Sequence, residues 1–163
     1  MTDKYYITTP IYYVNDKPHI GHAYTSVATD FIARFMRLKG HDVRFQTGTD
    51  EHGLKIQKAA ESKGKEPLEL CDENSRIFRD LTTTLDLSND DFIRTTEQRH
   101  IDGASFLWNR LHERNQIYLG EYTGWYSIND ETFYNEKDLV RQSDGSFKTV
   151  TGGPVDWITE KSY

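Results

Sequence analysis

Two histidines three residues apart, in the run Pro18-His19-Ile20-Gly21-His22, are the feature of this 163-residue sequence best suited to chemistry. At that spacing both imidazoles fall on one face of a first helical turn, where their ring nitrogens can donate to phosphate oxygens. A helix N-terminus adds unpaired backbone N–H groups and partial positive charge, so polyphosphate is favoured there. Gly21 has no Cβ, which lets a flat base or ribose lie against the helix start. Donors so placed help most when negative charge moves during displacement at an α-phosphate, and the chemistry indicated is adenylyl transfer. Two other readings of the pair stay open: ordinary cap or surface residues, and a metal chelate joined by Asp50, Glu51 and His52. A catalytic zinc helix, however, would carry a glutamate beside the first histidine and its partner four residues on.

The elements that must position these residues read as α/β. Lys4 to Thr9 alternates as a strand, with Tyr5, Ile7 and Thr9 on one face, and Pro10 ends its pairing. A loop from Ile11 to Pro18 leads into a helix from Ile20 to Lys39. Its apolar residues Ala23, Val27, Phe31, Phe35 and Leu38, with Ala28 and Ile32 widening the stripe, recur at helical spacing, and Gly40 is placed to stop it. A second strand follows from His41 to Thr47. Gly48 to Gly53 then turns into a helix ending near Ser62 or Gly64. Strand, helix, strand, helix is a βαβ pattern with a parallel sheet, and ligands in such sheets bind beyond the carboxyl ends of the strands. Pro67 opens a further helix carrying Leu68, Cys71, Ile77, Phe78, Leu81 and Leu85. Phe92 to Thr95 is a short strand, and Thr95 with Gln98 forms a capping box for a helix burying Ile101, Ala104, Leu107, Trp108 and Leu111.

Beyond Asn115 the texture changes. Ile117–Leu119, Tyr122–Ile128, Thr132–Tyr134, Phe147–Val150 and Val155–Ile158 are short β-prone runs separated by Gly, Asn and Asp, which indicates an antiparallel β insertion. The expected organisation is an α/β portion with a parallel sheet over residues 1–115 and a β insertion over 116–163. Thr159 to Tyr163 carry no stop signal, so the chain reads as a fragment.

Composition narrows the function classes. A net charge of −6 argues against a general nucleic-acid binder with a broad basic face. The single cysteine excludes an internal disulfide and a cysteine-built zinc knuckle, and suits a reducing compartment. No run approaches the roughly 18 apolar residues of a membrane span, and the N-terminal apolar run is too short for a signal peptide. A cytoplasmic location is expected, with the mitochondrial matrix as the alternative.

The run Tyr12 to His22, YYVNDKPHIGH, resembles the HIGH signature of class I aminoacyl-tRNA synthetases, and Thr47 to Gly53, TGTDEHG, resembles the companion motif of the methionyl-tRNA synthetase family. Asp91 to Thr96 and Gly124 to Ser127 extend the similarity over essentially the whole chain. The resemblance implies that residues 1–115 are the first half of a Rossmann-like domain, in an enzyme that joins methionine to ATP, used with Mg2+, and passes the methionyl group to tRNA(Met). It implies that His19 and His22 bind ATP and stabilise the transition state, that Gly21 admits adenine, and that Asn15 contacts or braces the phosphates. Asp50 would receive the α-ammonium of methionine by a charge-assisted hydrogen bond, with helix capping as its plainer role. Ile11 and Tyr13 would line the methionine pocket, Tyr13 covering the thioether; packing beneath the loop is the plainer role for Tyr12 and Tyr13. Glu51 and His52 would fix the turn.

Departures from the family pattern also matter. Its lysine-rich KMSKS loop is not found in these residues, nor are zinc cysteines in the insertion, so the resemblance is to the branch without zinc, held by β pairing and by Trp125, Tyr126, Phe133 and Trp157. Lys137, Arg141 and Lys148 can meet tRNA phosphates or serve as solvated surface charges. Another class I synthetase and a small HIGH-type adenylyltransferase are the competing readings. The 163 residues alone are expected to give no measurable methionine-dependent pyrophosphate exchange; exchange near the rate of a longer chain containing the lysine loop would contradict this.

Overall fold

In the computed structural model, which describes residues 2–163, the chain folds as two units, one ending at Ser105 and the other running from Phe106 to Tyr163. The division falls inside a helix, ahead of the 115/116 boundary expected from the change in texture.

The first unit is built on parallel pairing. β1 (Lys4–Thr8) and β2 (Tyr12–Tyr13) both lie along β3 (Asp42–Asp50), and β4 (Asp91–Arg94) also pairs with β3 in parallel. Thr8 is opposite Gln46 and Tyr12 is opposite Thr49, so the chain around Pro10 carries one residue more than β3 does over the same stretch. That bulge lies where the proline is expected to end the strand; pairing resumes beyond it. β3 runs further than the expected strand, through Gly48, Thr49 and Asp50, because β2 and β4 both pair there. A Cβ on Gly48 would stand 2.0 Å from the Ile93 carbonyl oxygen, which explains a glycine within the strand. Asp50 is therefore the last residue of the strand, at the carboxyl edge of the sheet, and not part of the turn.

Helix α1 (Ile20–Leu38) begins and ends close to where its periodicity indicates, but its apolar stripe does not face the core. The buried positions are Ser26, Thr29, Asp30 and Ala33, while Val27, Phe31, Ile32, Phe35 and Leu38 are exposed. Small side chains let the helix approach β1 and β3 closely, and the polar ones among them find partners. Tyr12 Oη lies 3.0 Å from Ser26 Oγ, and Asp30 accepts from the Ser88 N–H at 2.7 Å and from Arg34 Nε at 2.6 Å. Burial would raise the Asp30 carboxyl, but the hydrogen bonds of Ser88 and Arg34 hold it below the usual carboxylate range. Asp30→Ala is expected to cost about 1–3 kcal/mol, read as a lower urea midpoint, because the Ser88 donors lose their acceptor.

α2 (Leu54–Ser62) and α3 (Pro67–Thr84) follow. α3 buries Leu70, Cys71, Asn74, Ser75 and Phe78, whereas Leu68 in its first turn is exposed. Tyr12, Val14, Ile56, Cys71, Phe78 and Phe92 form one core cluster beneath the end of the sheet. α4 (Gln98–Glu113) buries none of its described residues, against the expected stripe of Ile101, Leu107 and Trp108. Nor does Thr95 cap it: Thr95 Oγ1 accepts from the Glu51 N–H, and the Glu97 carbonyl accepts the N–H groups of His100 and Ile101.

The second unit is antiparallel. β5 (Gly120–Ser127) lies between β6 (Thr132–Tyr134) and β9 (Asp156–Ser162), with a separate ribbon of β7 (Val140–Arg141) and β8 (Phe147–Lys148). Ile117–Leu119, expected as a strand, precedes β5 as irregular chain. Aromatic contacts tie the unit together: Trp125 to Trp157 with centroids 5.2 Å apart, Trp125 to Phe147 at 4.8 Å and Tyr126 to Phe133 at 4.9 Å. Among the described residues no helix is long and apolar enough to cross a membrane.

Candidate active site

The turn from β2 into α1 is closed by the two histidines themselves. His19 is the N-cap, in extended backbone, and its Nδ1 accepts from the Gly21 N–H at 3.0 Å; His22 Nδ1 in turn accepts from the His19 N–H at 3.0 Å. This is a capping box built from imidazoles in place of Ser and Glu. Because both Nδ1 atoms accept, each neutral ring carries its proton on Nε2, and Nε2–H is the donor each has left for a ligand. The rings lie face to face at a tilt, centroids 3.9 Å apart. A Cβ on Gly21 would stand 2.9 Å from His19 Cε1, so the glycine also makes room for the capping ring. The expected cap role and the expected ligand role thus belong to different nitrogens of one ring.

His22 is held by Tyr12, whose ring meets it edge-on with centroids 4.8 Å apart, and by Phe78 at 5.0 Å. Burial, then the neighbouring His19 charge, lowers the His22 pKa below that of an ordinary imidazole. The sign follows from which form the site needs. Protonated Nδ1 could no longer accept, so the stabilisation from this cap is complete above the ordinary imidazole pKa and is lost as pH falls through the lowered one. In a titration followed by NMR, His22 is expected to show the Nε2–H tautomer at neutral pH and a midpoint below about 6.5; a midpoint above that value would contradict the box.

Tyr12 is the residue that sequence reasoning undervalued. It is buried, stacks on Phe78 with centroids 5.7 Å apart, and reaches α1 through Ser26. Alternation in β2 then turns its neighbour Tyr13 to the opposite face, where it is 42% exposed. Tyr13 is paired with Asp50 across β2 and β3, and Lys55 Nζ lies 5.5 Å from its ring centroid. The Tyr12-Tyr13 dipeptide therefore joins the histidine turn to Asp50: one side chain touches His22, and the other stands beside the carboxylate-bearing strand end. Ile11, Asn15, His19 and Gly21 are exposed on the same carboxyl edge of the sheet. The loop holding them is anchored by the Val14 carbonyl, which accepts from Asn74 Nδ2 at 2.6 Å.

Among the described residues, the carboxylate of Asp50 receives only a long contact, 3.5 Å, from the His52 N–H. His52 Nε2 lies 3.3 Å from the Thr95 carbonyl oxygen, to which it donates, fixing the turn as expected. Glu51 is buried and faces Arg94, away from solvent. Cys71 is also buried, and desolvation pushes its thiol up to about 11, which makes it unreactive at neutral pH. Among the described residues no group of three or more His, Cys, Asp and Glu is placed to hold a metal ion.

The family described as tRNA synthetases class I (M) matches residues 5–143. The methionine–tRNA ligase of Rickettsia conorii is 56% identical over 163 residues, covering 100% of this chain and 31% of the relative. That of Mesorhizobium japonicum is 51% identical over 161 residues, again 31% of its length. The chain thus spans about a third of the curated relatives it matches. Among solved structures, Mycobacterium tuberculosis methionyl-tRNA synthetase in complex with methionyl-adenylate superposes with a TM-score of 0.86 at 47% identity, over 99% of this chain and 32% of that one. With its histidine turn and its Asp50 strand end both inside the matched region, the chain belongs to the class I tRNA synthetases of the methionyl type.

Proposed function

We propose that the protein containing these residues is a methionine–tRNA ligase acting in the cytosol. In the first step a carboxylate oxygen of methionine attacks the α-phosphorus of ATP, supplied with Mg2+, and pyrophosphate leaves. In the second, a terminal ribose hydroxyl of tRNA(Met) attacks the acyl carbon of methionyl-adenylate, and AMP leaves. His19 and His22 present Nε2–H to the phosphates, where donation strengthens as charge gathers on the oxygens around the reacting phosphorus. Gly21 gives the adenosine room at the helix start, and Asn15 braces the same loop. Asp50 takes the α-ammonium, while Ile11 and Tyr13 bound the side-chain pocket.

The observation that carries this reading is the register that sets Tyr13 opposite Asp50 while Tyr12, one residue earlier, packs on His22. An amino-acid subsite and a phosphate subsite then share one edge of the sheet. The M. tuberculosis relative solved with methionyl-adenylate supports the pairing of those two ligands. The test is pyrophosphate exchange by the full-length protein with methionine, leucine, isoleucine or valine as sole amino acid. Exchange with methionine alone is expected. Exchange driven equally by leucine would favour another class I synthetase, and ATP turnover indifferent to any amino acid would favour a small adenylyltransferase.

A further inference from the structure

Next to Asp50 lies a buried ionic cluster that the reaction does not touch. The Glu51 side chain is 0% exposed, and its carboxylate takes donors from three residues. Thr49 Oγ1 donates to Oε1 at 2.8 Å, Arg94 Nε donates to Oε1 at 2.7 Å and Arg94 Nη2 to Oε2 at 2.9 Å, and Thr96 Oγ1 donates to Oε2. The backbone is held as well: the Glu51 N–H donates to Thr95 Oγ1 at 2.8 Å, and the Thr95 N–H donates to the Thr49 carbonyl at 3.2 Å. Arg94 Nη2 also donates to Asp72 on α3 at 2.6 Å, so one guanidinium ties the ends of β3 and β4 to α3. Burial would raise the Glu51 carboxyl, but Arg94, Thr96 and Thr49 hold it below its usual range.

A buried ion pair is weak evidence for stability, because apolar residues of the same volume often serve as well. What an Arg–carboxylate fork does supply is direction, since two parallel N–H···O bonds fix both planes. Here the fork acts on the residue that follows Asp50. Among the described residues, Asp50 itself has little to orient it beyond the ladder and one long contact from His52. We propose that Glu51 and Arg94 are positioning residues for amino-acid recognition, setting the direction in which the Asp50 carboxylate meets the α-ammonium of methionine. This rests on the function proposed above for Asp50.

The test is steady-state pyrophosphate exchange by the full-length protein carrying Glu51→Gln or Arg94→Lys, with Asp50→Asn as reference and thermal unfolding measured on each. Glu51→Gln keeps the size of the side chain but must turn an amide N–H towards Arg94, and Arg94→Lys keeps the charge but not the fork. Both variants are expected to raise the KM for methionine about tenfold or more, since small misplacements of a binding group are costly. The KM for ATP, read at the histidine turn, should stay within about threefold. Parallel rises in both KM values, or a lowered Tm with the methionine KM unchanged, would overturn the positioning role and leave a merely structural cluster. If Asp50→Asn itself leaves the methionine KM unchanged, the proposed role of Asp50 fails, and the positioning role with it.

Discussion

His19→Asn in the full-length protein is expected to leave the helix capped and remove the chemistry. Asparagine is among the best N-cap residues, and its Oδ1 can accept the Gly21 N–H in place of Nδ1. It has nothing at the position of Nε2. If that proton meets the phosphates during adenylate formation, methionine activation should fall about 100- to 1000-fold, the usual cost of losing one donor to developing negative charge. The unfolding midpoint should hardly move. His19→Ala removes both functions and should add about 1 kcal/mol of destabilisation. His22→Gln should likewise leave the turn closed, because Gln at the third helical position can accept the His19 N–H through Oε1 in place of Nδ1. Nearly normal activation by the His19→Asn protein, beside an inactive His19→Ala protein, would mean that the first histidine is a cap and nothing more.

Asp50→Asn is the second large effect. The substitution preserves shape and removes charge, and among the described residues the carboxylate has only the 3.5 Å contact from His52 to lose. Stability should therefore be nearly unchanged. A hydrogen bond to a charged partner contributes about 1.5–3 kcal/mol, so the KM for methionine should rise roughly 10- to 150-fold. The histidine turn proposed to take ATP is on another element, and the KM for ATP should change little. Equal losses for both substrates would place Asp50 in the architecture of the sheet edge instead of the amino-acid subsite.

Much of this can be read from the residues in order, and the reasons for the exceptions are physical. Helix starts at Ile20 and Pro67 announce themselves through local cap and first-turn chemistry, and His-x-x-His with Gly21 marks the first turn of α1. The face of α1 cannot be read this way. Periodicity marks an apolar stripe but not what it packs against, and the side turned to the sheet is the one with Ser26, Thr29, Asp30 and Ala33. Polar side chains enter the interior there because partners distant in sequence, Tyr12 and Ser88, satisfy them. The end of β3 is hidden for the same reason. Gly48 and Thr49 look like turn residues, yet Thr49 is buried with its hydroxyl 2.8 Å from Glu51 Oε1, and Gly48 is squeezed by the Ile93 carbonyl. Arg94 and Glu51 are 43 residues apart, and nothing local to either announces the pair. A charged residue directly beside the Asp50 carboxylate is the one available signal, since an acid there must be neutralised or buried with a partner.

The most direct test is a crystal structure of the full-length protein with a non-hydrolysable methionyl-adenylate analogue. The expected result has the ammonium within hydrogen-bonding distance of the Asp50 carboxylate, the side chain against Tyr13, and Nε2 of His19 and His22 turned to the group that replaces the phosphate. An analogue seated elsewhere, or imidazoles whose Nε2 atoms point away from it while Asp50 contacts only solvent, would contradict the shared site.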